Sequence, residues 1–334
     1  MSGLSSTMLQ PTARTSSAIW SVLHRQTMLT VATYGLVYQC FIPFTIASQK
    51  YQSNQFMKTP VVLVTGASRG IGAAIAQKFV QAGYQVFATT RQSSPVGTVD
   101  RVLRLDVQDD ESVEECVNAV LAQAGRIDFL INNAGISIYG AIEEVSLAQI
   151  KAVFETNFFG VVRMTQAVLP TMRRQASGRV INIGSLAGFL PMPYQAAYAA
   201  SKHALAGWTE TLDLEVRRFG IRAILIQPGF IRTDIDRNST TGALRKDIYG
   251  DERNRVIEKL RVSVESGDDP VTVADAVLQA ATKRAPTIKV LVGRGARRVR
   301  VLRTLLPRTV FEFGLRRQFE LGDPPKRVQR HTEK

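Results

Sequence analysis

Thr65-Gly66-Ala67-Ser68-Arg69-Gly70-Ile71-Gly72 is the stretch that decides the fold. Ahead of it runs Val61-Val62-Leu63-Val64, which reads as a buried strand. Behind it comes Ala73-Ala74-Ile75-Ala76-Gln77-Lys78-Phe79-Val80, a helix with Ile71, Ala74, Ile75 and Phe79 at helical spacing. Glycines at a strand-to-helix junction permit a tight turn and let the backbone approach a ligand closely. The unpaired N–H groups of the helix's first turn then face a phosphate. The pattern is a dinucleotide fingerprint whose first gap is three residues wide instead of one. A plain tight turn needs the same glycines, so the meaning of the stretch depends on the rest of the chain.

Strand and helix patterns alternate from there toward the C-terminus. Gln85–Thr90 is the second strand and ends at Arg91. An NAD-binding protein usually carries Asp or Glu there for the ribose hydroxyls. Here no acid is present, and Arg91 can meet a 2'-phosphate, with Arg69 inside the glycine turn as a second contact. The expected cofactor is therefore NADP(H) rather than NAD(H). Arg101–Val107 reads as a third strand with Asp106 at its carboxyl end, then a helix from about Glu111 to Ala124 and a strand over Ile127–Ile131. Asn132-Asn133-Ala134-Gly135 closes that strand at the sheet edge where ligands sit. Residues 147–175 carry a long helical pattern that Pro170 should interrupt, with Asn157 in its interior.

The strand Arg179–Ile183 leads into Gly184-Ser185, and thirteen residues past Ser185 stands Tyr198, followed by Lys202. Tyr198 and Lys202 are spaced i,i+4 and share one helix face. An ammonium beside a phenol favours the phenolate and lowers the tyrosine pKa from about 10. Such a tyrosine can protonate a carbonyl oxygen near neutral pH, and Ser185 can donate a hydrogen bond to the same oxygen. A last sheet strand over Ile221–Ile226 ends in Gln227-Pro228-Gly229-Phe230-Ile231-Arg232-Thr233. Residues 234–262 read as an irregular lid or substrate loop; Asp234, Asp236, Arg237, Lys246, Asp247, Asp251, Glu252 and Arg253 make it markedly polar, which speaks against a greasy steroid pocket. Pro270–Thr282 reads as a helix and Ile288–Gly293 as a final short strand.

Taken in order, these motifs resemble the short-chain dehydrogenase/reductase family over roughly Thr59 to Gly293. The resemblance implies a Rossmann-type α/β fold, a doubly wound, mostly parallel seven-stranded sheet with helices on both faces. It implies that Gly66, Ser68, Arg69, Gly70, Ile71 and Gly72 form the cofactor turn, that Asp106 and Val107 contact the adenine, and that Asn133, Ala134 and Gly135 belong to a sheet-stabilising NNAG motif. Asn157, Ser185, Tyr198 and Lys202 match the family's catalytic tetrad. By that resemblance Tyr198 is the general acid/base and Lys202 assists it while holding the nicotinamide ribose. Ser185 positions the carbonyl and Asn157 holds a relay water. Pro228, Gly229 and Thr233 match the segment that holds the nicotinamide carboxamide. The implied activity is hydride transfer between the nicotinamide and a ketone or secondary alcohol. VFATTR at the second strand, the overall length and the C-terminal extension resemble the hydroxysteroid and retinol dehydrogenase branch, whose substrates are lipid-like. The alternative is a non-catalytic nucleotide-binding or scaffold protein on the same fold.

Composition sets the remaining expectations. The formal charge of +14 is uneven: residues 1–99 contain no Asp or Glu, while the segment from Arg294 onward is arginine-rich. No finger spacing, repeat or aromatic-interleaved basic patch accompanies it, so nucleic acid is not an expected partner. The three histidines show no metal-ligand spacing, and Cys40 and Cys116 do not make a disulfide framework. The chain divides into three regions: an N-terminal extension over 1–56, a catalytic domain over 57–293, and a basic amphipathic extension over 294–334. Residues 1–26 are Ser/Thr-rich and basic like an organelle presequence, the uncharged Met28–Ala47 is long enough to cross a bilayer but polar for a span, and a disordered extension is the third reading. Arg294–Arg317 mixes arginines with Val299, Val301, Leu302, Leu305, Leu306, Val310, Phe311, Phe313 and Leu315, a pattern that fits a membrane surface, a cover for the substrate cleft or a contact in a homo-oligomer. The expected location is a membrane of the endoplasmic reticulum, lipid droplet or mitochondrion, or else the cytoplasm.

Overall fold

The inner strands of the main sheet are largely apolar on both sides because both of their faces are covered, whereas Arg101 and Arg104 leave one edge strand exposed. The structure is a computed structural model and describes residues 59–92, 94–233, 239–244 and 246–322. The expectations for residues 1–56, and for Asp234, Asp236 and Arg237, fall outside the described residues. The strands are β1 (Val61–Val64), β2 (Gln85–Thr90), β3 (Arg101–Arg104), β4 (Phe129–Asn132), β5 (Gly178–Ile183), β6 (Ile221–Pro228) and β7 (Lys289–Val292). The helices are α1 (Gly70–Gln81), α2 (Asp110–Ala124), α3 (Leu147–Phe154), α4 (Gly160–Arg174), α5 (Ala196–Val216), α6 (Gly250–Glu265), α7 (Pro270–Thr282), α8 (Ala296–Leu305) and α9 (Arg308–Phe319).

Successive strand residues point to opposite faces. Val62 and Val64 pack with Ile75 and Phe79 of α1 and with Val273 and Val277 of α7. Val61 and Leu63 pack with Val113 of α2, Met164 of α4 and Leu212 of α5. The strands pair in parallel in the order β3–β2–β1–β4–β5–β6–β7, a Rossmann-type doubly wound sheet of seven strands. The winding reverses between β1 and β4, so their carboxyl ends open the crevice in which such sheets bind ligands. The glycine turn leaves β1 at that crevice, and Asn132-Asn133-Ala134-Gly135 leaves β4 beside it.

Two expectations are corrected. Pro170 does not break the long helical pattern; it sits inside α4. The break lies earlier, where Glu155–Phe159 forms a π-helical turn between α3 and α4. The 234–262 segment is not irregular throughout, because α6 begins at Gly250. Arg253, Val256, Ile257 and Leu260 form its buried stripe, while Asp251, Asn254, Arg255 and Glu258 are exposed and Glu252 accepts from Tyr194 Oη at 2.6 Å. The Arg253 guanidinium lies against the Glu144 carboxylate, with both side chains almost wholly buried. Burial alone would disfavour the Glu144 charge. Backbone N–H groups of Lys246 and Ala141, each 2.9 Å away, and the Arg253 charge outweigh it and hold the carboxyl below its usual range.

Ile138–Tyr139 and Thr240–Thr241 pair in a small parallel ladder that ties the segment after β4 to the segment after β6. Beyond β7, α8 and α9 meet at a corner marked by Pro307. Their outer ends are pinned: Ala296 is buried, and Phe319 is buried among Tyr139, Val256, Ile257 and Leu260. Gly322 N donates to Glu252 Oε2 at 2.6 Å, and Lys259 pairs with Glu320 at 2.6 Å.

Candidate active site

The i,i+4 spacing in α5 places Tyr198 and Lys202 one turn apart. The Lys202 ammonium lies 5.8 Å from the centre of the Tyr198 ring and donates to the Ile183 carbonyl, at the end of β5, at 2.9 Å. It is 6% exposed, and burial pulls its pKa down from 10.5 to about 8. Ser185 is separated from the end of β5 by Gly184; its Oγ accepts from Ala187 N at 3.1 Å, which leaves its O–H to donate. Asn157 arrives from the π turn, a rare local geometry that frequently marks functional sites. Its side chain is fully buried: Oδ1 accepts from Ile136 N at 2.8 Å, and Nδ2 donates to Ile136 O at 2.9 Å and to Ser201 Oγ at 3.1 Å. Both amide hydrogens are therefore engaged within the protein. A water at this residue would have to donate, either to the remaining lone pair of Oδ1 or to the backbone.

A cleft of about 360 Å³ lies across the carboxyl ends of β1, β2 and β4. Gly66 and Gly70 take φ values of +64° and +56°, and a Cβ on Gly66 would stand 2.8 Å from Ala134 Cα. Gly72, at the start of α1, has equally little room: its Cβ would lie 2.4 Å from Asn133 Nδ2. Asn133 Nδ2 clamps the turn by donating to Thr65 O at 3.0 Å and Gly66 O at 2.9 Å. The Thr65 hydroxyl answers by accepting from Asn133 N at 3.0 Å and Ala134 N at 3.1 Å. Ser68, Gly70 and Ile71 line one side of the cleft, Asp106 and Val107 another, and Ala134 and Gly135 its inner wall. Arg69 and Arg91 line the same cleft, are exposed, and have guanidinium groups that pair with no acid among the described residues.

Would these residues hold a nicotinamide dinucleotide? The N-terminus of α1 carries no side-chain cap and borders the cleft through Gly70 and Ile71, so its first N–H groups are open to a phosphate. The Thr89 hydroxyl, buried in the cleft wall, has no partner among the described residues, although buried polar groups ordinarily have one. Both observations fit an incoming polar ligand. Gly135 marks the junction with the catalytic group, since a Cβ there would lie 3.8 Å from Lys202 Nζ.

Beyond that junction lies a second cavity of about 380 Å³, reached past Ile71, Ser137 and Thr233, which line both spaces. Ser185 and Tyr198 face it, as do Pro228 and Gly229; Gly229 N donates to Val292 O at 2.9 Å. Most of the wall is apolar. Leu186, Leu190 and Met192 come from the segment after β5, and Leu260 and Val264 from α6. The region of α8, α9 and their corner adds Val299, Leu302, Leu306, Val310, Phe311 and Leu315. The C-terminal extension is thus part of the cavity wall.

Sequence reading missed several residues of this site. Thr65 opens the recognised turn and Thr89 lies inside the recognised second strand, but no spacing marks either hydroxyl as part of the site. Gln195 and Ser137, hydrogen-bonded at 3.2 Å in the cavity wall, are joined only by tertiary structure. Asn182, one residue before the end of β5, links Asn132 and Thr209 through bonds of 2.9 Å each. An Asn within the apolar run Val180–Ile183 was the available signal.

Residues 60–243 match the model of the short chain dehydrogenase family. The chain is similar to 3-ketodihydrosphingosine reductase of Bacteroides thetaiotaomicron, at 36% identity over 267 residues, covering 78% of this chain and 98% of the relative. Among solved structures, it is similar to a metagenomic short-chain oxidoreductase in complex with NADP, at 29% identity and a TM-score of 0.57, covering 70% of this chain and 96% of that one. It is also similar to a short chain dehydrogenase/reductase from Burkholderia phymatum in complex with NAD, at 25% identity and a TM-score of 0.65, covering 80% and 98%. The chain belongs to the short-chain dehydrogenase/reductase family. It is an NAD(P)-dependent oxidoreductase acting on a small-molecule ketone or alcohol.

Proposed function

We propose that this chain reduces an apolar, lipid-like ketone with NADPH, within the hydroxysteroid and retinol dehydrogenase-like branch of its family. One observation carries the reading: the cavity that meets Ser185 and Tyr198 is walled by Leu, Val, Met and Phe side chains from four separate parts of the chain. Such a wall favours a substrate by the apolar surface it removes from water. The similar reductase from Bacteroides thetaiotaomicron is named for a long-chain ketone, which is the same chemical class.

A bound nicotinamide supplies the hydride. The chain's own residues handle the proton and the geometry. Tyr198 Oη donates its proton to the carbonyl oxygen while the Ser185 O–H donates a hydrogen bond to the same atom. The Lys202 ammonium stabilises the phenolate left behind and reaches the ribose side of the cleft. Asn157 holds Ile136 and Ser201, and through them the floor of the site, in place. Arg69 and Arg91 supply the preference for NADPH, because unpaired guanidinium groups suit a 2'-phosphate and would have no partner on NADH.

The test is a series of linear methyl ketones assayed with NADPH and with NADH. Each methylene buried in the cavity is worth about 0.8 kcal/mol, so kcat/KM should rise about fourfold per carbon until the cavity is full. NADPH should be the better reductant throughout. A flat series, or a preference for polar hydroxy-ketones, would remove the lipid-like reading.

A further inference from the structure

The α8–α9 corner has two apolar faces, and the cavity accounts for only one of them. Leu302, Leu306 and Val310 line the cavity and are also 48%, 36% and 50% exposed, so they mark its mouth. Around that mouth Leu305 (74% exposed), Phe313 (65%) and Val301 point outward with nothing packed on them among the described residues. A ridge of this kind on a soluble protein marks an interaction surface. It is ringed by cations. Between Arg294 and Arg317 the only acid is Glu312, and the exposed Arg297, Arg298, Arg300 and Arg308 have no acidic partner among the described residues. Both ends of the pair are fastened, by the 2.6 Å pairing of Arg294 with Asp268 and by the Phe319 and Gly322 contacts. The corner is what projects.

We propose that the α8–α9 corner docks on an anionic lipid surface and that the substrate cavity opens onto that surface. Exposed apolar side chains beside unpaired arginines are the chemistry of an interfacial helix pair. At 10 and 12 residues the two helices lie on a bilayer and do not cross it. A second copy of this chain is the poorer occupant, because a two-fold contact here would set arginines against arginines. The docking does not depend on which ketone is reduced, although it gives a lipid-like substrate a dry route to Tyr198.

The test uses the full chain with Cys40→Ser and Leu305→Cys, the new thiol carrying an environment-sensitive fluorophore; the remaining Cys116 is buried. Vesicles of phosphatidylcholine mixed with phosphatidylserine should shift its emission to the blue at low salt, and vesicles of phosphatidylcholine alone should do so far less. Salt should reverse the shift as it shortens the screening length. Changing Arg297→Glu, Arg298→Glu, Arg300→Glu and Arg308→Glu together should abolish it. Co-sedimentation with vesicles while the fluorophore keeps its aqueous emission would overturn the proposal, since another segment would then be the anchor. A blue shift without vesicles that grows with protein concentration would also overturn it, in favour of a second copy. NADPH-driven reduction of a water-soluble ketone, followed in the same samples, separates the two readings: an active enzyme with a silent probe ends the docking proposal, and an inactive one with a shifted probe supports docking while ending the reductase reading.

Discussion

Replacing Lys202 with Met should yield a protein that is at least as stable as the original and inactive. The ammonium is 6% exposed and has its pKa lowered from 10.5 to about 8 by burial. At about 1.4 kcal/mol per pH unit, the gap between 10.5 and about 8 means that holding the charge costs the folded protein about 3 kcal/mol below pH 8. Met keeps much of the apolar stem and removes that cost. Against this stands the 2.9 Å bond to Ile183 O, whose loss leaves a buried carbonyl without its donor and costs about 1–3 kcal/mol. The net change near pH 7 is then between zero and about 2 kcal/mol in favour of the variant. The folded pKa lies below the unfolded one, so the original protein regains stability as pH rises from about 8 to 10.5, and the variant has nothing to regain. The difference between the two should therefore move toward the original protein by up to about 1.4 kcal/mol per pH unit across that window. Urea unfolding of both proteins without added cofactor, at neutral pH and at the alkaline end of the window, measures it. Other titrations are common to both and cancel. A difference that stays constant from neutral to alkaline pH would refute the reasoning.

Arg91→Ala should narrow the NADPH-to-NADH ratio of kcat/KM by roughly tenfold or more, the worth of one charge-assisted contact of ~1.5–3 kcal/mol; an unchanged ratio would remove Arg91 from the 2'-phosphate site. Phe319→Ala should loosen α9 from α6, speeding amide exchange in α9 and raising KM for long-chain ketones while sparing short ones. A buried Phe truncated to Ala costs about 3–5 kcal/mol, and equal losses for short and long ketones would show that α9 does not shape the cavity. Cys116, whose thiol burial pushes up to about 12, should resist iodoacetamide until the protein is unfolded; alkylation of the native protein would contradict that burial.

How much of the fold and the site was legible in the sequence depends on whether a signal is local. β1, the glycine turn and α1 declare themselves because a short apolar run, φ-permissive glycines and a helical stripe lie side by side. β2 and α7 were placed at their observed ends, Gln85–Thr90 and Pro270–Thr282. The π turn was not legible. Its extra residue leaves no periodic trace, and Pro170 drew the expected break to the wrong place. In α6 the buried stripe begins with an arginine, and only the partner Glu144, 109 positions away in sequence, makes it a core residue. Polar composition therefore hid both a helix and one side of an apolar cavity. The tail residues from Val299 to Leu315 were recognised as amphipathic, but which face meets the cavity is settled by tertiary packing alone. The unpaired Thr89 hydroxyl belongs to the same class.

The most direct measurement is single-turnover reduction of a ketone by Tyr198→Phe with NADPH bound. Removing one hydroxyl leaves the glycine turn, Arg69, Arg91 and Lys202 in place, so NADPH should bind with nearly its original dissociation constant. Reduction should fall by at least the ~10²–10⁴-fold that a positioned proton donor contributes. Intact NADPH binding together with a reduction rate close to that of the unmodified protein would contradict the account.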